Sequence, residues 1–191
     1  MKIAGFLLVV LLAGCASQTI PPTYYLLRSD QDLQSSALST SKRYSLGSVE
    51  IAAYIDQPGL VLATGADEMR AASQHLWAEP VYDGVRNFLA TEIAQASGQE
   101  LLPTKLTRDT TAVNIRIDQL HGTSDGRAQI VAYWWLVRGD EVTSLNRFAD
   151  SRALSTSGYS ALVDAEKQLL AELAKKIASS LAEYGPISAA E

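Results

Sequence analysis

The sequence predicts an α+β fold (α/β sandwich), with a mixed, largely antiparallel sheet and two amphipathic helices packed on it. Three observations carry this. Val81, Val85, Phe88, Leu89, Ile93 and Ala96 recur at helical spacing, and so do Leu162, Leu169, Leu173, Ile177 and Leu181. Between them Val113, Ile115 and Ile117 alternate with Asn114, Arg116 and Asp118, the period of a half-buried strand. Ahead of the first helix, short apolar runs are separated by turn residues. Strands, helix, strands, helix is the resulting order.

Taken from the N-terminal side, Thr23 to Leu27 reads as a first strand, rich in aromatic and apolar residues. Ser29 to Ser41 is rich in Ser, Gln and Asp and reads as a loop. Tyr44 to Ile55 has strand character around Val49 and Ile51, Asp56-Gln57-Pro58-Gly59 is a turn, and Leu60 to Thr64 is a further strand. Glu68 to Gln74 reads as another. Pro80 suits a first helical position, where its missing N–H costs nothing, and Glu79 and Asp83 favour the positive end of the dipole. Gly98 stops that helix. After the Val113 strand, Asp125-Gly126 is a hairpin turn. Ile130 to Val137 is apolar almost throughout and predicts a central strand, Gly139-Asp140 turns again, and Val142 to Leu154 completes a three-stranded meander. The second helix runs from about Ser160 to Tyr184, with Lys167, Glu172, Lys175 and Glu183 on its wet face and Gly185-Pro186 ending it.

The first fourteen residues are of another kind. Lys2 is followed by about ten apolar residues, a run too short to span a bilayer, which needs about 20. Leu12-Ala13-Gly14-Cys15 matches the bacterial lipobox, whose thiol accepts a diacylglyceryl group, and Cys15 is the sole cysteine of the chain. Three segments are therefore expected: signal peptide 1–14, lipidated tether 15–22, and one domain over 23–186. Cleavage removes fourteen of the 191 residues and leaves 177, with 15 basic against 21 acidic side chains once Lys2 is gone. Acyl chains contribute about 0.8 kcal/mol per buried methylene, so more than one chain gives a stable anchor without a spanning helix. Ala16 after Cys15, in place of Asp, points to the outer membrane and its periplasmic face. The mild acidity argues against nucleic acid, which requires clustered Lys and Arg.

Chemistry is sparse. Gly122-Thr123-Ser124-Asp125-Gly126 matches G-x-S-x-G, but that elbow needs a helix after it, and here a strand follows. Ser124 is read as a turn residue, and no catalytic residue is expected. His75 and His121 lie far apart among scattered carboxylates, so neither a metal site nor a cofactor is expected. No G-x-x-x-x-G-K phosphate loop is present in the sequence. In Tyr133-Trp134-Trp135 adjacent side chains point to opposite faces, so at least one tryptophan packs in the core, and a lipid-contacting platform is the alternative. Tyr54 beside Asp56 and Pro58, and Trp77 beside Glu79 and Pro80, are loop-borne aromatics of the kind that mark contact surfaces.

The lipobox, Tyr24-Tyr25-Leu26-Leu27, the Val-x-Ile strand ending in Tyr54-Ile55-Asp56-Gln57-Pro58, and Leu76-Trp77-Ala78-Glu79-Pro80 before an amphipathic helix occur in a distinctive order. In this the chain resembles the ABC-type transport auxiliary lipoproteins, the PqiC-like family, over essentially the whole mature sequence. The resemblance implies an accessory role in lipid transport between two membranes, beside an MCE-domain protein, a permease and an ATPase. The chain would then be the outer-membrane end of the assembly, with Tyr54, Asp56, Pro58, Trp77, Glu79 and Pro80 as expected partner contacts and a homo-oligomer as a possible form. A tethered receptor for a small hydrophobic ligand and a structural envelope-assembly protein are the alternatives.

Overall fold

The computed structural model describes residues 21–29, 44–103 and 110–183. The signal peptide, Cys15, the tether to Ile20, most of the Ser29–Ser41 loop and the Gly185-Pro186 stop lie outside the described residues. Among the described residues, eight strands and two long helices follow in the order β1 (Thr23–Tyr25), β2 (Tyr44–Ile51), β3 (Gly59–Ala63), β4 (Met69–Trp77), α1 (Val81–Ser97), β5 (Leu102–Pro103), β6 (Thr111–Gly122), β7 (Arg127–Arg138), β8 (Glu141–Ala153) and α2 (Tyr159–Glu183).

One mixed sheet contains all eight strands. Its centre is β6, which pairs antiparallel with β7 from Thr111↔Arg138 to Gly122↔Ala128. Strand β8 then pairs antiparallel with β7, completing the meander that the alternation predicted. The other edge of β6 is shared by two strands in succession. β2 runs parallel to its first half, through Ile51↔Ile117, and β3 meets its last residue at Leu62↔Gly122. Between them the chain leaves the sheet over Ala52 to Pro58, in a turn closed by Ile55 N–H donating to the Ala52 carbonyl at 2.9 Å. β5 extends the sheet beyond β2, while antiparallel β4 and then parallel β1 extend it beyond β3.

Both helices cover one face. Along β6 and β7 the residues facing them are buried: Val113, Ile115 and Ile117, then Ile130, Ala132, Trp134 and Leu136. On α2 the predicted stripe Leu162, Leu169, Leu173, Ile177 and Leu181 is buried, joined by Leu170 and Val163. Each such Leu or Ile contributes about 1.5–3 kcal/mol, which outweighs intrinsic helix-propensity differences of a few tenths per residue. Among the described residues the core spans Leu27 to Leu181. Trp134 is the core member of its pair, with its indole N–H donating to Ser180 Oγ at 3.2 Å. Trp135 lies half-buried on the opposite face, against which neither α1 nor α2 packs.

The ends of α1 follow from its sequence. Pro80 precedes the first helical residue, at φ −52° and ψ 130°, and Gly98 closes the helix in the left-handed region at φ 66°. The expected Glu68–Gln74 strand is found and continues to Trp77. Trp77 is consequently the last residue of a strand and not a loop aromatic. The first strand ends at Tyr25, two residues short of the expected span, because pairing with β4 stops at Tyr25↔Trp77.

Candidate functional site

The turn after β2 and the short link between β4 and α1 meet on the surface. Trp77 N–H donates to the Pro58 carbonyl at 2.7 Å, and Ala78 N–H donates to the Tyr25 carbonyl at 2.7 Å. Those bonds fix the segments side by side and leave an open groove of about 430 Å³ lined by Asp56, Gln57, Pro58, Trp77, Ala78, Glu79, Pro80 and Val81. Gly59 makes the approach possible, since a Cβ there would lie 2.3 Å from the Ala72 carbonyl oxygen. Five of the six expected contact residues, Asp56, Pro58, Trp77, Glu79 and Pro80, are thereby brought into one site.

Within the groove the residues do different things. Trp77 is 9% exposed and belongs to the core, so it forms the floor. Pro58, Ala78 and Pro80 are exposed and form the walls. Glu79 is held by Arg28 through two parallel contacts, Nη1 to Oε1 and Nη2 to Oε2, the second at 2.7 Å. Fifty-one positions separate that pair in sequence. Arg28 carried no periodic or motif signal and was missed.

Tyr54 is the exception. It turns away from Pro58 to a second groove of about 590 Å³, whose lining includes His121, Asp118, Gln119, Ser124 and Gln129. Its hydroxyl is hydrogen-bonded to His121 Nδ1 at 2.9 Å, and the rings meet edge to face at 64°. Burial pushes the Tyr54 phenol up and the His121 imidazole down, so both stay neutral around pH 7. Ser124 sits at the tip of the β6–β7 hairpin, a strand–turn–strand unit without the helix that a nucleophile elbow needs. His75 resembles His121 in taking a tyrosine hydroxyl, Tyr25 at 3.0 Å, and it stacks on Tyr159 at 4.0 Å.

Beneath the first groove lies a nearly enclosed cavity of about 10 Å³, lined by Leu27, Ile55, Val61, Trp77, Val81, Leu120, Leu170 and the carboxylic side chain of Glu166. That volume matches one water molecule. Glu166 is 2% exposed, and burial pushes its pKa up to about 8. The sequence held a signal for it: Glu166 falls four residues after Leu162 and three before Leu169, inside the apolar stripe. Among the described residues no three metal-ligating side chains cluster, and no helix is long and apolar enough to cross a membrane.

The fold and its grooves define a class, a two-layer α+β sandwich domain with surface recesses where its loops meet. The chain belongs to the family of ABC-type transport auxiliary lipoprotein components, whose profile matches residues 24–178. It is 26% identical over 174 residues to the intermembrane transport lipoprotein PqiC of Escherichia coli (strain K12), covering 90% of each chain, and the same figures hold for PqiC of Shigella flexneri. A crystal structure of an uncharacterized protein matches the fold with a TM-score of 0.73 at 22% identity, covering 84% of this chain and 99% of that one. A crystal structure of a protein from Xanthomonas campestris matches with a TM-score of 0.63 at 14% identity, covering 87% and 99%.

Proposed function

We propose that this chain is the outer-membrane-anchored, periplasm-facing accessory lipoprotein of an intermembrane lipid transport system, and that it docks an MCE-domain component through the Pro58–Trp77–Pro80 groove. The observation that carries the reading is the convergence of two loops, about twenty residues apart in sequence, into a single apolar-walled recess. Membership of the transport auxiliary family and the likeness to the intermembrane transport lipoprotein PqiC support the transport role. The lipobox at Cys15 supports the anchor. Tethering raises the local concentration, so a modest contact area suffices for docking. The nearly enclosed cavity beside Glu166, about 10 Å³, is far below the roughly 300 Å³ of the smallest ligand pockets, so a small hydrophobic ligand does not fit inside it.

Ala78 is exposed at the middle of the groove, so Ala78→Trp fills it without touching the core. Capture of an MCE-domain partner by the Ala78→Trp chain is expected to fall at least about tenfold, the effect of losing one central contact region. Lys175→Glu, on the exposed face of α2, is the control and leaves capture unchanged. Undiminished capture by Ala78→Trp would remove the groove from the docking site.

A further inference from the structure

The face of the sheet opposite the helices is organised in rows. Paired residues of neighbouring strands share a face, so the register across β6, β7 and β8 gives the order directly. Ala112, Val137 and Val142 form one row, and Asn114, Trp135 and Leu145 the next. Arg116, Tyr133 and Arg147 form the third, with Gln119, Val131 and Ala149 beyond it. Among the described residues no helix packs here, and Leu145 is 72% and Val142 59% exposed. Trp135 and Tyr133 are half-buried between their strand neighbours. The result is an apolar end, then a tryptophan, then a tyrosine flanked by two guanidinium groups, each row about 7 Å from the last at the strand rise.

We propose that this face of β6–β7–β8 lies on an anionic phospholipid surface, with Trp135, Leu145 and Val142 against the upper acyl region and Arg147 and Tyr133 among the phosphates. Charge selects this occupant. Arg116 is engaged by Asp118 at 2.7 Å and stands in register with Glu50. Arg147, on the other side of Tyr133, makes no ion pair among the described residues and rests over the Tyr133 ring with its Cζ 6.0 Å from the centroid. An unpaired guanidinium beside Tyr and Trp matches the chemistry of the headgroup zone, where amphipathic rings settle and cations meet phosphate. Distance permits it as well. The eight peptide steps from Cys15 to Thr23 reach at most about 28 Å. From β1 to β8 the sheet is about 24 Å wide at the usual strand spacing, so a chain held at Cys15 can lay β8 on the same bilayer. This surface is separate from the Pro58–Trp77–Pro80 groove.

The test holds the domain at a bilayer without relying on natural acylation. The chain from Cys15 onward keeps every described core residue, and its single thiol is coupled to a maleimide lipid in vesicles. The vesicles contain either phosphatidylglycerol or phosphatidylcholine, each brominated near the top of its acyl chains. Tryptophan emission is expected to be quenched in the phosphatidylglycerol vesicles, and Trp135→Phe, which leaves buried Trp77 and Trp134, is expected to abolish the quenching. Arg147→Gln is expected to reduce it about fivefold, the factor that one arginine supplies near an anionic surface. Leu145→Asp, at an exposed position, is expected to reduce it without changing the melting temperature. Absence of quenching, persistence of quenching in Trp135→Phe, or equal quenching by both lipids overturns the proposal.

Discussion

The Trp77 amide and the Pro58 carbonyl meet at 2.7 Å, and this one bond joins the end of β4 to the turn after β2. It fixes the spacing of the groove walls, and Gly59 next to it must let β4 come close.

Gly59→Ala should therefore be costly out of proportion to one methyl group. The added Cβ meets backbone, the Ala72 carbonyl oxygen at 2.3 Å and the Ala72 nitrogen at 3.1 Å, which cannot rotate away. A loss of about 1–3 kcal/mol in chemical denaturation is expected, together with weakened MCE capture. A substitution that left stability within experimental error would show that the loops are less tightly joined.

The Arg28–Glu79 pair should matter more for shape than for stability. Their side chains are 39% and 22% exposed, so solvent screens the attraction. Arg28→Ala and Glu79→Ala are each expected to cost about 1 kcal/mol or less, and the double variant little more than either one. A double-mutant cycle in urea measures it, and additive losses would mean that the two groups act independently.

Glu166 sets a pH dependence with a definite sign. Its folded value, pushed up to about 8 from 4.5, means that the native chain keeps a proton which the unfolded chain gives up between those values. Its contribution is therefore fully present below pH 4.5, and stability falls as pH rises towards 8 at up to about 1.4 kcal/mol per unit before levelling off. His121 acts in the opposite direction, because its folded value is lowered by burial and stability is lost as pH falls below 6.5. Melting temperatures from pH 5 to 9 should show Glu166→Gln flattening the decline that runs up to about pH 8. An unchanged slope in that variant would assign the decline to other groups.

Cys15→Ser should yield an unlipidated, full-length precursor, because no other thiol is present to take the diacylglyceryl group. Metabolic labelling with a radioactive fatty acid is the measurement, and label retained on the serine variant would refute the anchor.

Local patterns alone determined much of this protein. Apolar spacing of 3.6 residues gave both helices, alternation gave the β6–β7–β8 meander, and Pro80, Gly98 and Asp125-Gly126 marked ends and a turn, since each depends only on neighbours a few residues away. The order of features even carried the family. Tertiary structure decided what sits beside what. That β2 and β3 follow one another along one edge of β6 depends on pairings between distant segments, which no local period encodes. So does the burial of Trp77, whose strand extends past the Ala-rich stretch because β1 and β3 flank it. The fate of Tyr54 was decided in the same way: His121, sixty-seven positions away, supplies its hydrogen bond and draws it from Pro58 into the other groove. Trp134 and Trp135 show both contributions. Alternation in the sequence required them to face apart, and only the packing of α2 on one side of the sheet decided that Trp134 is core and Trp135 is left on the open face.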